Sequence, residues 1–467
     1  MIEKFGYEQE FKRTLSLRDL VIFGMVFMAP VSSMTLFGIM SVTSQGHNVL
    51  AYLFAFVAML LTALSYGKMV EAFPVAGSTY SYTQRAIDPK LGFIAGWVML
   101  LDYFLIPMFL YVVSANFANA LLPAVPFWVW ILIYVVPVTL VNYRGVEVAA
   151  KVNIFMAALM VAAIIAFVIA AIHTASADSQ VPLFNLKAIY NNETFSLSAV
   201  VAGSAMAVLS YLGFDGITTL TEEVNTSTKK IKRAILLACV LQTVLYIAVS
   251  YFGLLFTPDY AAVSNPETAF FDLASIVGGE GLQTFISFVI IVSGAATALA
   301  GQSSASRLLY GMGRDKLLPA KVFSHLHPQY KTPSYSIIFM GVIGCVGAML
   351  IPMEILAEMV TFGGIFGFIC VNLSVFVHFY IKRRERNFFT NLLFPLLGVA
   401  ICGYILFSLS EIGKIVGFSW MGLGIAYLAI RSMLSNNFKQ LLEKNSLINP
   451  EANELEDTDD NVALTNS

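Results

Sequence analysis

Charge is what this chain has least of. Asp, Glu, Lys and Arg make up 12% of its 467 residues, against roughly 25% in soluble domains. Hydrophobic residues reach 58% and mean hydropathy is +0.77, so the shortage excludes an ordinary soluble fold and indicates a polytopic membrane protein. Cysteine is scarce and scattered. Cys239, Cys345, Cys370 and Cys402 each lie alone in an apolar stretch, which excludes a disulfide framework or thiolate metal site and leaves small packing residues. His47, His173, His325, His327 and His378 fall at segment ends or in loops, with no Cys or carboxylate cluster at metal spacing. A phosphate-binding Gly-Lys loop and a nucleophile–base arrangement are also missing. These absences speak against an enzyme, against ATP-driven work, and against any cofactor or nucleic-acid partner. Residues 1–18 are polar and contain no apolar stretch, so no cleavable signal peptide is expected and the segment reads as a cytoplasmic N-terminus.

Long apolar runs are abundant. A window of about 20 residues, the length needed to cross a bilayer, finds candidates near 19–44, 48–73, 92–121, 125–142, 149–173, 196–222, 232–256, 281–310, 334–352, 355–381, 389–409 and 416–433. These predict an all-α polytopic membrane protein with twelve transmembrane helices. With the N-terminus in the cytoplasm, all of the 27 Lys and Arg residues except Lys187 and Lys414 fall on the cytoplasmic side. The positive-inside rule therefore puts both termini in the cytoplasm. The loops are too short for an added soluble domain, and the acidic tail 436–467 reads as a solvated cytoplasmic extension. Glu71 to Tyr80 is rich in Gly, Pro, Ser and Tyr and too polar to span. It is expected to be either a re-entrant or gating segment or a plain connecting loop.

Two of the runs are interrupted. The sixth contains Ser210-Tyr211-Leu212-Gly213-Phe214-Asp215-Gly216, with a carboxylate where lipid favours leucine. A charge at membrane depth costs at least about 2.5–3.5 kcal/mol on insertion scales, which makes it a functional-site hypothesis by default. The flanking glycines weaken the helix and free backbone groups to bind something. The first run contains Ala29-Pro30-Val31-Ser32-Ser33-Met34-Thr35, where proline removes a donor and hydroxyls can satisfy what is freed. Paired interruptions at matching places in two halves point to a midplane binding site. Two five-helix halves must be inverted relative to each other. This divides the chain into the N-terminal segment 1–18, a ten-helix transport core 19–381, two added helices within 382–435, and the tail.

Asp102, followed by Tyr103, is embedded in the third run. It serves either as a structural partner for a buried polar group or as a face of the substrate or proton path. Glu222 and Glu223 follow the sixth-run break near the cytoplasmic end, as a gate or as plain surface charge. Arg307 and Arg314 end the eighth run, where snorkelling and positive-inside bias account for them. Ser293-Gly294 and Gly301-Gln302-Ser303-Ser304 give that helix a small polar face, for close packing or for lining a cavity. A protonatable carboxylate beside a helix break suits coupling to protons, with Asp215 as the coupling group.

The layout, the two breaks, Gly213-Phe214-Asp215 and Ala300-Gly-Gln-Ser-Ser-Ala-Ser-Arg307-Leu-Leu-Tyr-Gly-Met-Gly-Arg314 resemble the amino acid–polyamine–organocation (APC) transporters. Ser65-Tyr-Gly-Lys68, Phe73-Pro-x-Ala-Gly-Ser78, Leu101-Asp-Tyr103 and Thr218-Thr-Leu-x-Glu-Glu223 resemble its putrescine-importing members in particular. The likeness runs from about residue 14 to 435. It implies a LeuT-like 5+5 inverted repeat with discontinuous helices 1 and 6, and a secondary active transporter in the plasma membrane, the cell inner membrane of a bacterium. The expected substrate is a small cationic or zwitterionic amine, taken up by symport with protons. Putrescine or a related polyamine and an α-amino acid are both open. Carried over, the substrate-binding residues are Ala29, Pro30, Ser32, Ser33, Thr35, Asp102, Tyr103, Ser210, Tyr211, Gly213, Phe214 and Asp215. Two departures bear on substrate. Amino acid carriers of this family place Gly-x-Gly in the first break, where this chain has Ala29-Pro-Val-Ser-Ser33. Putrescine-importing members hold an acid where this chain has Thr35, which leaves Asp102 and Asp215 as the main anionic partners.

Overall fold

In a computed structural model, the description covers residues 10–122, 124–177, 181–257, 259–262, 266, 269–409 and 411–435. Residues 1–9 and the acidic tail 436–467 lie outside the described residues.

The first expected crossing is helical but broken. It divides into α1 (Leu17–Met28), α2 (Ser32–Thr35) and α3 (Phe37–Thr43). A capping box starts α1: the Ser16 side chain accepts from the Asp19 amide, and the Asp19 carboxylate accepts from the Ser16 amide at 2.9 Å. Then follow α4 (Asn48–Ala72), α5 (Ser78–Ala86), α6 (Pro89–Leu121), α7 (Phe127–Arg144) and α8 (Val146–Ala177). The sixth crossing divides into α9 (Leu197–Tyr211) and a 3-10 helix, Phe214–Glu223. Beyond it come α10 (Thr228–Phe256), α11 (Ala269–Arg314), α12 (Ala320–Phe323) and α13 (Ser334–Leu350). The chain ends in α14 (Met353–Val375), α15 (Phe394–Ser408) and α16 (Glu411–Leu434).

Among the described residues, eleven helical segments are long and apolar enough to cross a membrane. The remaining expected crossing, 334–352, is α13, apolar but only 17 residues long. This is an all-helical polytopic membrane protein. Its outer surface carries apolar side chains such as Leu140, Phe155, Val342 and Ile430, all exposed. An α-helix satisfies its own backbone, so such a surface can face lipid.

Glycines set the closest helix contacts. A Cβ at Gly363 would lie 2.6 Å from the Asp102 backbone nitrogen, and one at Gly364 would lie 3.1 Å from the Asp102 carboxylate. Only a bare backbone lets α14 lie this close to α6. At the other end of the chain, Trp97 and Trp420 stack at 4.9 Å and each indole N–H donates to the other's carbonyl, at 3.0 and 2.9 Å. That reciprocal pair pins α16 to α6.

Two expectations need revision. The Glu71–Tyr80 stretch is no plain loop. It leads through Gly77, at φ 113°, into α5, all nine of whose residues are buried despite their polarity. The eighth crossing begins earlier than 281, because Ala269–Val277 is already helical and is joined to the rest of α11 across a kink at Gly279, φ 71°. Phe270 holds that early part inward, its ring 5.7 Å from Phe37 and 4.9 Å from Phe167. The end of the polar N-terminal segment also packs against the bundle. Phe11 and Leu15 are buried, and Leu15 forms a lone parallel β-bridge with Val224.

Candidate functional site

Both helix breaks carry left-handed backbone. At the first, Ala29 adopts φ 49°, ψ 97° after α1, and Pro30 leads the chain into α2. At the second, Gly213 adopts φ 115° between α9 and the 3-10 helix, a conformation that costs an L side chain about 1–2 kcal/mol. The breaks interlock through Phe27. A Cβ on Gly213 or on Gly216 would each lie 2.6 Å from the Phe27 ring, so the two glycines form the cradle in which it rests.

A cavity of about 420 Å³ opens beside the breaks. Met28, Ala29, Ser32 and Thr35 line it from the first break, and Leu209, Ser210 and Leu212 from the second. Ile106, Ser114 and Asn116 of α6 and Ser293, Gly294 and Thr297 of α11 complete the polar and close-packed parts of the wall. The lining is mostly apolar.

Four of the residues expected at the site line this cavity: Ala29, Ser32, Thr35 and Ser210. The others are set behind its wall. Ser33 is buried and donates to the Pro30 carbonyl at 3.4 Å. The Tyr211 hydroxyl is 2.8 Å from Thr243, and Phe214 stacks on Phe368 at 5.2 Å with its edge toward Tyr66. Phe27 and Leu212, which line the cavity, also cover the carboxylates. Phe27 lies against Gly213 and Gly216, and Leu212 shares its contact at Gly364 with Asp102.

Behind them Asp102 and Asp215 are completely buried. The Tyr103 hydroxyl donates to one oxygen of Asp215, and the other oxygen has no hydrogen-bond partner among the described residues. Neither oxygen of Asp102 has one there either. Of the two readings open for Asp102, partnership with a buried hydroxyl or amide has no counterpart among the described residues. A buried carboxyl group left in this way is costly unless a proton or a cation neutralises it.

The far end of the 3-10 helix carries two ion pairs. Glu222 accepts from both terminal nitrogens of Arg314, at 2.9 and 3.1 Å, and from the Ala76 amide at 2.7 Å. Glu223 pairs with the Arg307 Nε, and Arg307 donates on to the Ser303 carbonyl at 2.9 Å. Both glutamates and Arg307 are buried. Plain surface charge is thus ruled out for the glutamates, and snorkelling does not describe the arginines: each arginine is the counter-ion of one glutamate. The Thr14 and Leu15 amides donate to the Glu223 carbonyl at 3.0 and 3.1 Å, which ties the N-terminal strand over the same point.

The small polar face of α11 divides its work. Ser293 and Gly294 line the cavity, whereas Gly301 packs on Pro107 and Ser304 on Gly216. Thr297 bonds to the Val26 carbonyl at 2.9 Å. Sequence reasoning passed over Phe27 and Tyr246. Tyr246 of α10 reaches both breaks, and the signal for it was present. Gln242 and Tyr246 are polar groups one turn apart in a membrane helix, and polar groups there are usually committed to a partner.

A bundle of membrane helices, two of them broken beside a cavity, fits a solute transporter. A sequence profile of the amino acid permease family matches residues 24–437. The chain therefore belongs to the amino acid permease (APC) family, and it is a transporter rather than an enzyme. It is 30% identical over 427 residues to the low-affinity putrescine importer PlaP of Escherichia coli (strain K12), covering 90% of this chain and 94% of that protein. It is 26% identical over 442 residues to a methylthioribose transporter of Bacillus subtilis (strain 168), covering 88% and 92%. It is 22% identical over 469 residues to the branched-chain amino acid permease BcaP of the same organism, covering 93% and 96%.

Proposed function

We propose that this protein is a secondary active transporter that takes up putrescine or a related polyamine across the plasma membrane, driven by protons. One observation carries the reading: two buried carboxyl groups, Asp102 and Asp215, with three of their four oxygens unpartnered among the described residues, behind the floor of a cavity at two helix breaks. Glu222 and Glu223 each have an arginine; these two acids have none among the described residues. In this reading their neutralising charge arrives from outside, as protons in one state and as substrate ammonium groups in another. A diamine brings two positive charges to two acids. Likeness to a putrescine importer over most of both chains supports the same reading.

In this scheme Ala29, Pro30, Ser32, Thr35 and Ser210 receive the substrate first. Asp102, Tyr103, Gly213 and Asp215 meet its charge, and Ser33, Tyr211 and Phe214 hold the backbone from behind. Asp215 couples the proton, and Glu222 and Glu223 form the gate. Twelve crossings form two inverted five-helix repeats plus two added helices, with both termini cytoplasmic. The cavity then opens outward and the ion pairs close the cytoplasmic side. The breaks after Met28 and Tyr211 support such a repeat, because they fall at matching places in the two halves.

A second reading, a proton-coupled amino acid permease or exchanger, is favoured by the mostly apolar cavity lining. It is opposed by the first break, which lacks the glycine pair that leaves backbone amides open to a carboxylate.

Uptake of radiolabelled putrescine and leucine into proteoliposomes, with and without an inwardly directed proton gradient, separates the readings. Gradient-driven accumulation of putrescine is expected, and Asp215→Asn should abolish the accumulation. If leucine alone accumulates, the second reading holds. If neither moves and the gradient has no effect, both are wrong.

A further inference from the structure

Helix ends leave carbonyl groups without intrahelical donors, and at membrane depth water is not there to replace them. The first break exposes the carbonyl of Met28 and the second that of Ser210, whereas the Ala29 carbonyl accepts from the Ser32 amide at 2.8 Å. Both exposed carbonyls converge on the hydroxyl of Tyr246, at 2.7 Å from Met28 O and 2.5 Å from Ser210 O, with Ala29 O farther off at 3.5 Å. On the acceptor side of the same oxygen, Gln242 Nε2 donates at 2.8 Å and Ser32 Oγ at 3.1 Å.

A phenol has one hydrogen and two acceptor positions. Gln242 and Ser32 fill the acceptor positions, so the single hydrogen is shared between one carbonyl of the first break and one of the second. Tyr246 is fully buried, and its ring stacks on Tyr52 at 4.9 Å, whose own hydroxyl is 3.2 Å from Ser210 Oγ. Its hydroxyl therefore cannot swing away without unstacking. Phe27 interlocks the breaks through apolar contact, but apolar contact can slide. The Tyr246 hydrogen bonds fix the spacing between the two backbones.

We infer that Tyr246 is a positioning residue for transport: its hydroxyl latches the two broken helices so that they move as one unit during translocation. The inference rests on the assignment to a transporter family and not on the choice of substrate. Its hydroxyl donates to backbone and accepts from Ser32 Oγ of the cavity wall, so its loss frees one cavity hydroxyl and acts chiefly on the rate of movement.

The test is Tyr246→Phe, which keeps the ring and its stacking and removes only the oxygen. Hydrogen–deuterium exchange of the full-length protein in lipid nanodiscs, without substrate, reads the latch directly. Amides in 29–36 and in 212–216 should both exchange at least tenfold faster, with α7 and α13 unchanged. In proteoliposomes, with whichever of radiolabelled putrescine and leucine the wild type carries, the maximal rate per transporter should fall at least tenfold. KM should stay within threefold. Exchange that is unchanged at both breaks, or faster at only one, overturns the inference. So does a raised KM with the maximal rate preserved, which would make Tyr246 a binding residue. Exchange that is faster everywhere would indicate general loosening and would equally overturn it. If neither probe is carried, the amine and amino acid readings fail, and the exchange experiment still decides the latch.

Discussion

Glu223 and Arg307 offer the sharpest test of the proposed gate. Each side chain is only 4% exposed, and Arg307 is further held by the Ser303 carbonyl. Removing one member of a buried pair leaves the other uncompensated, a loss of about 3–5 kcal/mol. Glu223→Gln should therefore shift the protein out of this arrangement by roughly a hundredfold or more, at about 1.4 kcal/mol per tenfold. Thr218 is completely buried between the pairs and Asp215, so Thr218→Cys is a suitable reporter. Its labelling by a membrane-impermeant maleimide, applied from the side that carries the pairs, should accelerate at least tenfold in the Glu223→Gln background. Replacing both partners, Glu223→Gln with Arg307→Met, removes the stranded charge and should return the labelling rate to near that of the parent. The Glu71–Lys232 pair is the control. It is about 30% exposed on each side, and exposed pairs contribute about 0–1 kcal/mol, so Glu71→Gln should change little. Labelling at the parent's rate in the Glu223→Gln background would refute the reasoning, because the pair would then hold nothing shut.

Gly213→Ala places a Cβ at φ 115°, 2.6 Å from the Phe27 ring. The conformation alone costs about 1–2 kcal/mol, so uptake should fall at least tenfold while the protein still inserts, and near wild-type uptake would count against a fixed left-handed break. Trp420→Ala deletes one side of the Trp97 stack and both the indole donor and the ring that hold α16 on α6. Stability in detergent should fall by about 3–5 kcal/mol with KM within twofold, measured by thermal unfolding and uptake; a change in KM would mean that α16 reaches the site.

Local chemistry was readable from sequence, and remote pairing was not. Gly213, Asp215, Gly216 and Pro30 each violate what an apolar helix wants, so both breaks were legible within a few residues. The fold class followed from apolar runs and charge asymmetry. Glu222 and Glu223 were legible as acids but not as partners, because Arg307 and Arg314 lie 84 and 92 residues away from them in sequence. With no partner in view, an arginine at a helix end reads as an interface anchor. Similarly, α5 looks too polar to bury until its partners are known: Tyr80 reaches Asp315, and the Ser81 hydroxyl donates to the Ala76 carbonyl at 2.8 Å. Tyr246 was hidden for the opposite reason. An aromatic residue in an apolar helix reads as core, and the polar Gln242 one turn away was the one local sign that its hydroxyl is committed to a partner.

The 3-10 helix Phe214–Glu223 joins these parts. Asp215 stands at one end of it and Glu222 and Glu223 at the other, ten residues that at about 2.0 Å per residue make an arm roughly 20 Å long. Long 3-10 stretches are uncommon, because their hydrogen-bond geometry is poor. This one is reinforced by side chains that bond back one turn: Thr218 to the Asp215 carbonyl at 2.7 Å, Thr219 to Gly216 at 2.7 Å and Thr221 to Thr218 at 2.6 Å. The Thr218 hydroxyl also lies 2.7 Å from that of Ser78 in α5, and the Thr219 hydroxyl 3.4 Å from that of Ser304 in α11. An arm braced in this way does not bend easily between its ends. If Asp215 couples the proton, as proposed, a displacement at that end of the arm would be carried to the Glu222–Arg314 and Glu223–Arg307 pairs at the other without a separate relay.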